Sequence, residues 1–176
     1  MNKLASFICL TIALVSCNPS APDSRTENRS PDSALQADTL PRVTGIGGIF
    51  FGSDNPEEAR EWYGENLGIV MDEYGSVFEF RNAVRPGEVN YLRWSPFDRK
   101  SDYLAPSRKE FMINYRVQHL EGLVKKLKGN GVTLLDSIAS YDYGKFVHIL
   151  DPEGNKIELW EPVDSVLTRM GGKTTK

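Results

Sequence analysis

Two stretches of this chain follow the same pattern, and that repetition limits its possible folds more than any other feature. The first runs Ile46-Gly47-Gly48-Ile49-Phe50-Phe51, then SDNPEEAREWYGENLG, then short β-rich pieces that close on Trp94-Ser95-Pro96. The second runs Phe111-Met112-Ile113-Asn114-Tyr115-Arg116-Val117, then QHLEGLVKKLKGNG, and closes on Trp160-Glu161-Pro162. Ile49 and Ile113 lie 64 positions apart, as do Phe51 and Tyr115, while Trp94 and Trp160 lie 66 apart. A near-constant offset is the signature of a duplicated supersecondary unit. Each unit reads as a strand, a helix and three short strands.

Local chemistry supports both helices. Asn55 suits an N-cap, Pro56 the first helical position, and Glu58 the reciprocal place in a capping box. Gly68 and Gly131 are expected to stop the two helices. Ala59, Trp62, Tyr63 and Leu67 keep helical spacing in the first, and Leu120, Leu123, Val124 and Leu127 in the second, so both stripes are expected to be core. Asp151-Pro152-Glu153-Gly154-Asn155 reads as a turn between two strands. His119 matches Asn55 and is expected to be a surface cap.

The ends read differently. Met1 to Cys17 carries one charge, Lys3, before an apolar run from Leu4 to Val15, as a signal peptide does. Its ending, Leu14-Val15-Ser16-Cys17, resembles a bacterial lipobox. That resemblance implies removal of residues 1–16 and acylation of Cys17; the other reading is an ordinary secretory signal with an incidental cysteine. If the lipobox reading holds, Cys9 leaves with the signal, and the mature protein has neither a free thiol nor a disulfide. Residues 17–41 are then an acylated cysteine and a disordered tether, rich in Pro and polar groups and without an aromatic residue. Asn18 after the cysteine leans toward the outer membrane or periplasmic face. Residues 42–164 form the folded domain, with modules at about 43–97 and 110–162, and 165–176 reads as a flexible basic tail. The chain's net charge of −3 argues against nucleic acid as a partner.

The duplicated pattern and the ending Asp151-Pro152-Glu153-Gly154-Asn155-Lys156-Ile157-Glu158-Leu159 resemble the vicinal oxygen chelate superfamily, which groups glyoxalases, bleomycin-resistance proteins, fosfomycin-resistance proteins and extradiol dioxygenases. The resemblance implies an α+β fold in which two tandem βαβββ modules form an incomplete eight-stranded barrel around a substrate cavity. It also implies metal ligands on the first and last strand of each module. Matched by motif, those positions are Gly48, Leu92, Met112 and Glu158, and only Glu158 is a ligand type. With two His in the whole chain, no catalytic metal and no other cofactor are expected, since such sites hold their ion with about three protein ligands.

If the turn is symmetric about Glu153, His148 and Glu158 face each other across two strands and point into the cavity. They form a candidate acid–base dyad, or else a relic carboxylate neutralised by an imidazole. Phe50, Trp94, Asn114 and Trp160 are expected to line the cavity, with Tyr141 and Tyr143 at its mouth. Three functions remain open. One is a membrane-tethered module that binds a small aromatic or amphipathic molecule without metal. Another is a lyase or isomerase using His148 and Glu158, with or without a loosely held divalent metal. The last is a structural or partner-binding lipoprotein. Homodimerisation through the sheets is a further expectation that the resemblance implies.

Overall fold

The computed structural model describes residues 40–176. The signal segment, Cys17 and residues 18–39 of the tether lie outside them. The elements are β1 (Arg42–Ser53), α1 (Pro56–Leu67), β2 (Ser76–Arg81), β3 (Val89–Asp98), a short 3-10 turn (Asp102–Leu104), β4 (Phe111–Gln118), α2 (Leu120–Gly129), β5 (Ala139–Tyr141), β6 (Gly144–Leu150), β7 (Lys156–Pro162) and α3 (Asp164–Met170). The strands make one curved mixed sheet in the order β2-β3-β1-β4-β7-β6-β5. At its centre β1 and β4 run antiparallel, and each lies parallel to the last strand of its own module. This is the expected duplicated α+β, glyoxalase-like architecture.

Among the described residues the sheet has seven strands rather than eight. After α1, only an isolated bridge, Met71 to Ser76, stands where a strand of the first module was expected. The cause is local: the Asp72 carboxylate accepts the backbone N–H of Tyr74 at 2.8 Å and of Gly75 at 2.9 Å. A side chain that bonds its own following backbone closes a turn where a ladder would otherwise extend.

The modules also differ in packing. Leu120, Leu123 and Val124 of α2 are buried with Val117, Val147, Ile149 and Leu159, which together form the main core. α1 buries no residue, and Trp62 is 53% exposed, so the expected core stripe of the first helix is only half realised. Tyr63 packs on Trp94 with centroids 4.6 Å apart, and Trp94 packs on Phe51 at 5.0 Å. Asn55 caps α1 as expected, and Gly68 ends it in the left-handed conformation. His119 does not cap α2; the Glu161 carboxylate instead accepts the backbone N–H groups of His119 and Leu120, each at 3.1 Å.

Residues 165–176, expected as a flexible tail, are built into the fold. Most of α3 lies here, and the chain then crosses to the edge of β2. There Thr175 exchanges backbone bonds with Val77 and Glu79, and its hydroxyl accepts the Val70 N–H at 2.9 Å. Composition alone hid this, because β2 is an edge strand with unpaired backbone groups that any nearby segment can satisfy.

A bulge in β1 between Ile46 and Gly48 turns two consecutive residues, Gly47 and Gly48, toward the concave face. A Cβ at Gly47 would lie 2.3 Å from Asn114 Oδ1 and 2.7 Å from Trp160, and one at Gly48 would lie 2.7 Å from the Phe50 ring. Only glycine lets the central strands hold those side chains. Gly47→Ala is expected to cost about 1–3 kcal/mol by overpacking. Gly87→Ala, where a Cβ meets nothing within 4 Å, is expected to be near neutral; urea unfolding of the two variants distinguishes these outcomes.

Candidate functional site

The concave face of the sheet encloses a cavity of about 1120 Å³. Ladder partners share a face, so one row crosses five strands: Arg93 pairs with Gly48, Gly48 with Asn114, Asn114 with Glu158, and Glu158 with His148. The row corrects the motif match. Arg93, not Leu92, stands on the first module's last strand opposite Glu158, and Asn114, not Met112, holds the first-strand position of the second module. The repeat offset between the last strands is therefore 65 rather than 66. One residue of slip reverses every side chain in a strand. Trp94 consequently points away from the cavity toward α1 and is not a lining residue. Phe50, Asn114, Tyr143, His148, Glu158 and Trp160 do line it.

Glu158 is the centre of the polar wall. Its side chain is 6% exposed and accepts three hydrogen bonds. Asn114 Nδ2 donates to Oε1 at 2.6 Å, while the Tyr103 hydroxyl at 2.9 Å and His148 Nε2 at 3.0 Å meet Oε2. The other ring nitrogen of His148 lies 2.6 Å from Asp136 Oδ2, and the same carboxylate accepts the His148 backbone N–H at 2.8 Å. A carboxylate faces each ring nitrogen, and two ionised carboxylates favour the doubly protonated imidazolium form of His148. Burial opposes that charge, but the hydrogen bonds to Glu158 and Asp136 outweigh it and raise the His148 pKa above its ordinary value. The Tyr103 hydroxyl is pushed well above the tyrosine range by burial and then by the Glu158 charge, so it stays a proton donor.

The opposite wall carries a second closed pair. Arg93 donates from both terminal nitrogens to Asp72 at 2.6 Å each, and from Nε to Ser95 Oγ at 3.1 Å. Burial pushes the Asp72 carboxyl up, but Arg93 and the turn amides prevail and lower its pKa. Deeper still, Arg116 is buried, ion-paired with Asp164 and set over the Trp160 ring at 5.2 Å. Between these pairs the wall is aromatic. Phe146 and Trp160 stack at 5.8 Å, Tyr141 and Tyr143 at 5.3 Å, and Phe97 and Tyr103 at 4.7 Å. Tyr141 and Tyr143 both line the cavity and are partly open to solvent.

The donor set does not fit a divalent metal. The four central positions hold an arginine, a glycine, an amide and one carboxylate. The arginine is a fixed cation, and the carboxylate's oxygens already receive three donors. His148 separates Asp136 from Glu158 rather than converging with them on one point, and among the described residues no three His, Cys, Asp or Glu side chains form a metal-holding group.

Sequence reasoning missed Tyr103, Asp136 and Arg93. Tyr103 sits in the segment between modules, where a lone aromatic among polar residues is the one available hint. Asp136 reaches His148 because Leu134 bridges Ile149, a pairing that leaves no motif.

No protein-family model matches the chain, and no curated protein matches it either. Solved structures do. A methylmalonyl-CoA epimerase in complex with methylmalonyl-CoA and NH4+ aligns at TM-score 0.50 and 16% identity over 69% of this chain and 96% of its own. A variant of the Streptomyces coelicolor methylmalonyl-CoA epimerase aligns at 0.50 and 16% over 69% of this chain and 99% of its own. The Mn(II)-bound glyoxalase from Novosphingobium aromaticivorans aligns at 0.47 and 13%, over 69% of this chain and 40% of its own. Methylmalonyl-CoA epimerase and glyoxalase are members of the vicinal oxygen chelate superfamily, and what this chain shares with the two epimerase structures aligned at 0.50 is the fold.

Because the folded pKa of His148 is raised from 6.5, its protonation contributes stability that is fully present below about pH 6.5. That contribution fades as pH rises through the raised folded value. Urea unfolding across this window should show stability falling with pH in the unaltered protein and a flatter profile in His148→Gln. Equal slopes in both would exclude the assignment.

Proposed function

We propose that this glyoxalase-like domain is a binding module that holds a small aromatic or amphipathic molecule in its cavity without a catalytic metal. The observation that carries this reading is that the cavity's acid–base groups are spent on one another. Glu158 receives three donors, both ring nitrogens of His148 face carboxylates, and Arg93 is locked to Asp72. Much of the surface that remains open to a guest is aromatic, which suits a flat or amphipathic body. In the same reading Cys17 is acylated and residues 18–41 space the domain from the membrane at the cell envelope.

One observation favours a second reading, an enzyme of lyase or isomerase type. Glu158 Oε1 receives a single hydrogen bond, from Asn114, and keeps a lone pair for a proton taken from a bound molecule. His148 then holds Glu158 in place from Oε2. Both oxygens of that carboxylate are already engaged by the protein's own donors, so binding is the stronger reading.

Phenylnaphthylamine, an uncharged aromatic probe, should bind the purified protein and quench its tryptophan emission through Trp160. Phe146→Ala should weaken it by about tenfold, or about 1.4 kcal/mol, and Trp160→Phe should remove most of the energy transfer. Binding untouched by both changes would place the probe outside the cavity and defeat the reading. Separately, Cys17→Ser should move the protein from the membrane fraction to the soluble one; retention in the membrane would remove the lipid anchor from this account.

A further inference from the structure

The segment that follows β7 supplies part of the cavity wall. Leu167, Met170, Lys173 and Thr174 all line it. The segment is anchored at both ends. At its start Asp164 pairs with buried Arg116, and Thr168 Oγ1 lies 3.0 Å from the Tyr91 hydroxyl. At its far end Thr175 is bonded to β2, and the Thr174 hydroxyl donates to Glu79 at 2.6 Å. Gly171 and Gly172, with φ of 66° and 125°, make the sharp passage between the anchors that L side chains rarely adopt. Lys173 is the next residue, so its backbone is placed by structure on either side.

The charges around the cavity single out this lysine. Asp72 is bound by Arg93, Asp136 by His148, Glu158 by three donors, and Glu79 by Thr174 and, at 3.8 Å, by Lys176. Among the described residues lining the cavity, the Lys173 ammonium is the charged group with no counter-charge or hydrogen-bond partner. A guest bringing a cation meets carboxylates whose partners must first be displaced. A guest bringing an anion meets Lys173, an exposed lining residue whose ammonium is not paired among the described residues, beside Leu167 and Met170 of the same segment.

We infer that the C-terminal segment is part of the binding site and that Lys173 gives the cavity a preference for an amphipathic organic anion. Its apolar body lies on the aromatic wall and its acid group meets the ammonium. The inference rests on the binding reading above and names its ligand class.

Two probes with one skeleton separate the terms: anilinonaphthalene sulfonate carries an anion, and phenylnaphthylamine does not. Lys173→Gln should weaken the sulfonate about fivefold, the upper range for a partly solvated ion pair, and leave the neutral probe unchanged. Lys173→Arg should retain sulfonate affinity, and the gap between the unaltered protein and Lys173→Gln should shrink as salt rises from about 20 mM to about 500 mM. Equal changes in both probes, or no change in either, would overturn the inference while leaving cavity binding intact. Failure of both probes to bind the unaltered protein would instead overturn the binding reading itself.

Discussion

A carboxylate held at 6% exposure must be supplied with hydrogen bonds, and much of this structure is arranged around meeting that need at Glu158. Its three donors come from three places: Asn114 on β4, His148 on β6 and Tyr103 in the segment joining the modules. The connecting segment is thereby drawn over the cavity. Lys156 fastens it further by donating to the Tyr103 carbonyl at 2.6 Å. Removing one member of such a buried set costs roughly 3–5 kcal/mol, because it strands the rest. The network is therefore a structural commitment before it is a chemical one.

The first module shows what the same fold does without that carboxylate. At the position related to Glu158 stands Arg93, bound to the Asp72 turn that replaces a strand, and beside it a bulge presents two glycines. Their lack of side chains lets Phe50, Asn114 and Trp160 close over the sheet centre. The outcome is a cavity with charge pairs at its sides and aromatic rings between them. Its wall is completed by the segment after β7, which satisfies the free edge of β2.

Much of this was legible in the sequence. The repeat gave the two-module plan, Asn55 and Gly68 gave the ends of α1, and the turn centred on Glu153 gave the His148–Glu158 register. Trp94 failed because matched Trp-x-Pro endings conceal a one-residue difference in offset, and face alternation is unforgiving of a single step. His119 failed because a carboxylate from another strand, Glu161, reached the same backbone amides. Asp136, Tyr103 and the C-terminal segment were out of reach for a common reason. Each acts through a contact distant in sequence, and no local propensity encodes one.

Glu158 is occupied by the protein's own donors, and the proposed metal-free binding follows from that occupation. Calorimetric titration of the chelator-stripped protein with Mn²⁺ and with Zn²⁺ tests it most directly. No site tighter than about 1 mM is expected. Stoichiometric binding in the micromolar range that disappears in Glu158→Gln would contradict it.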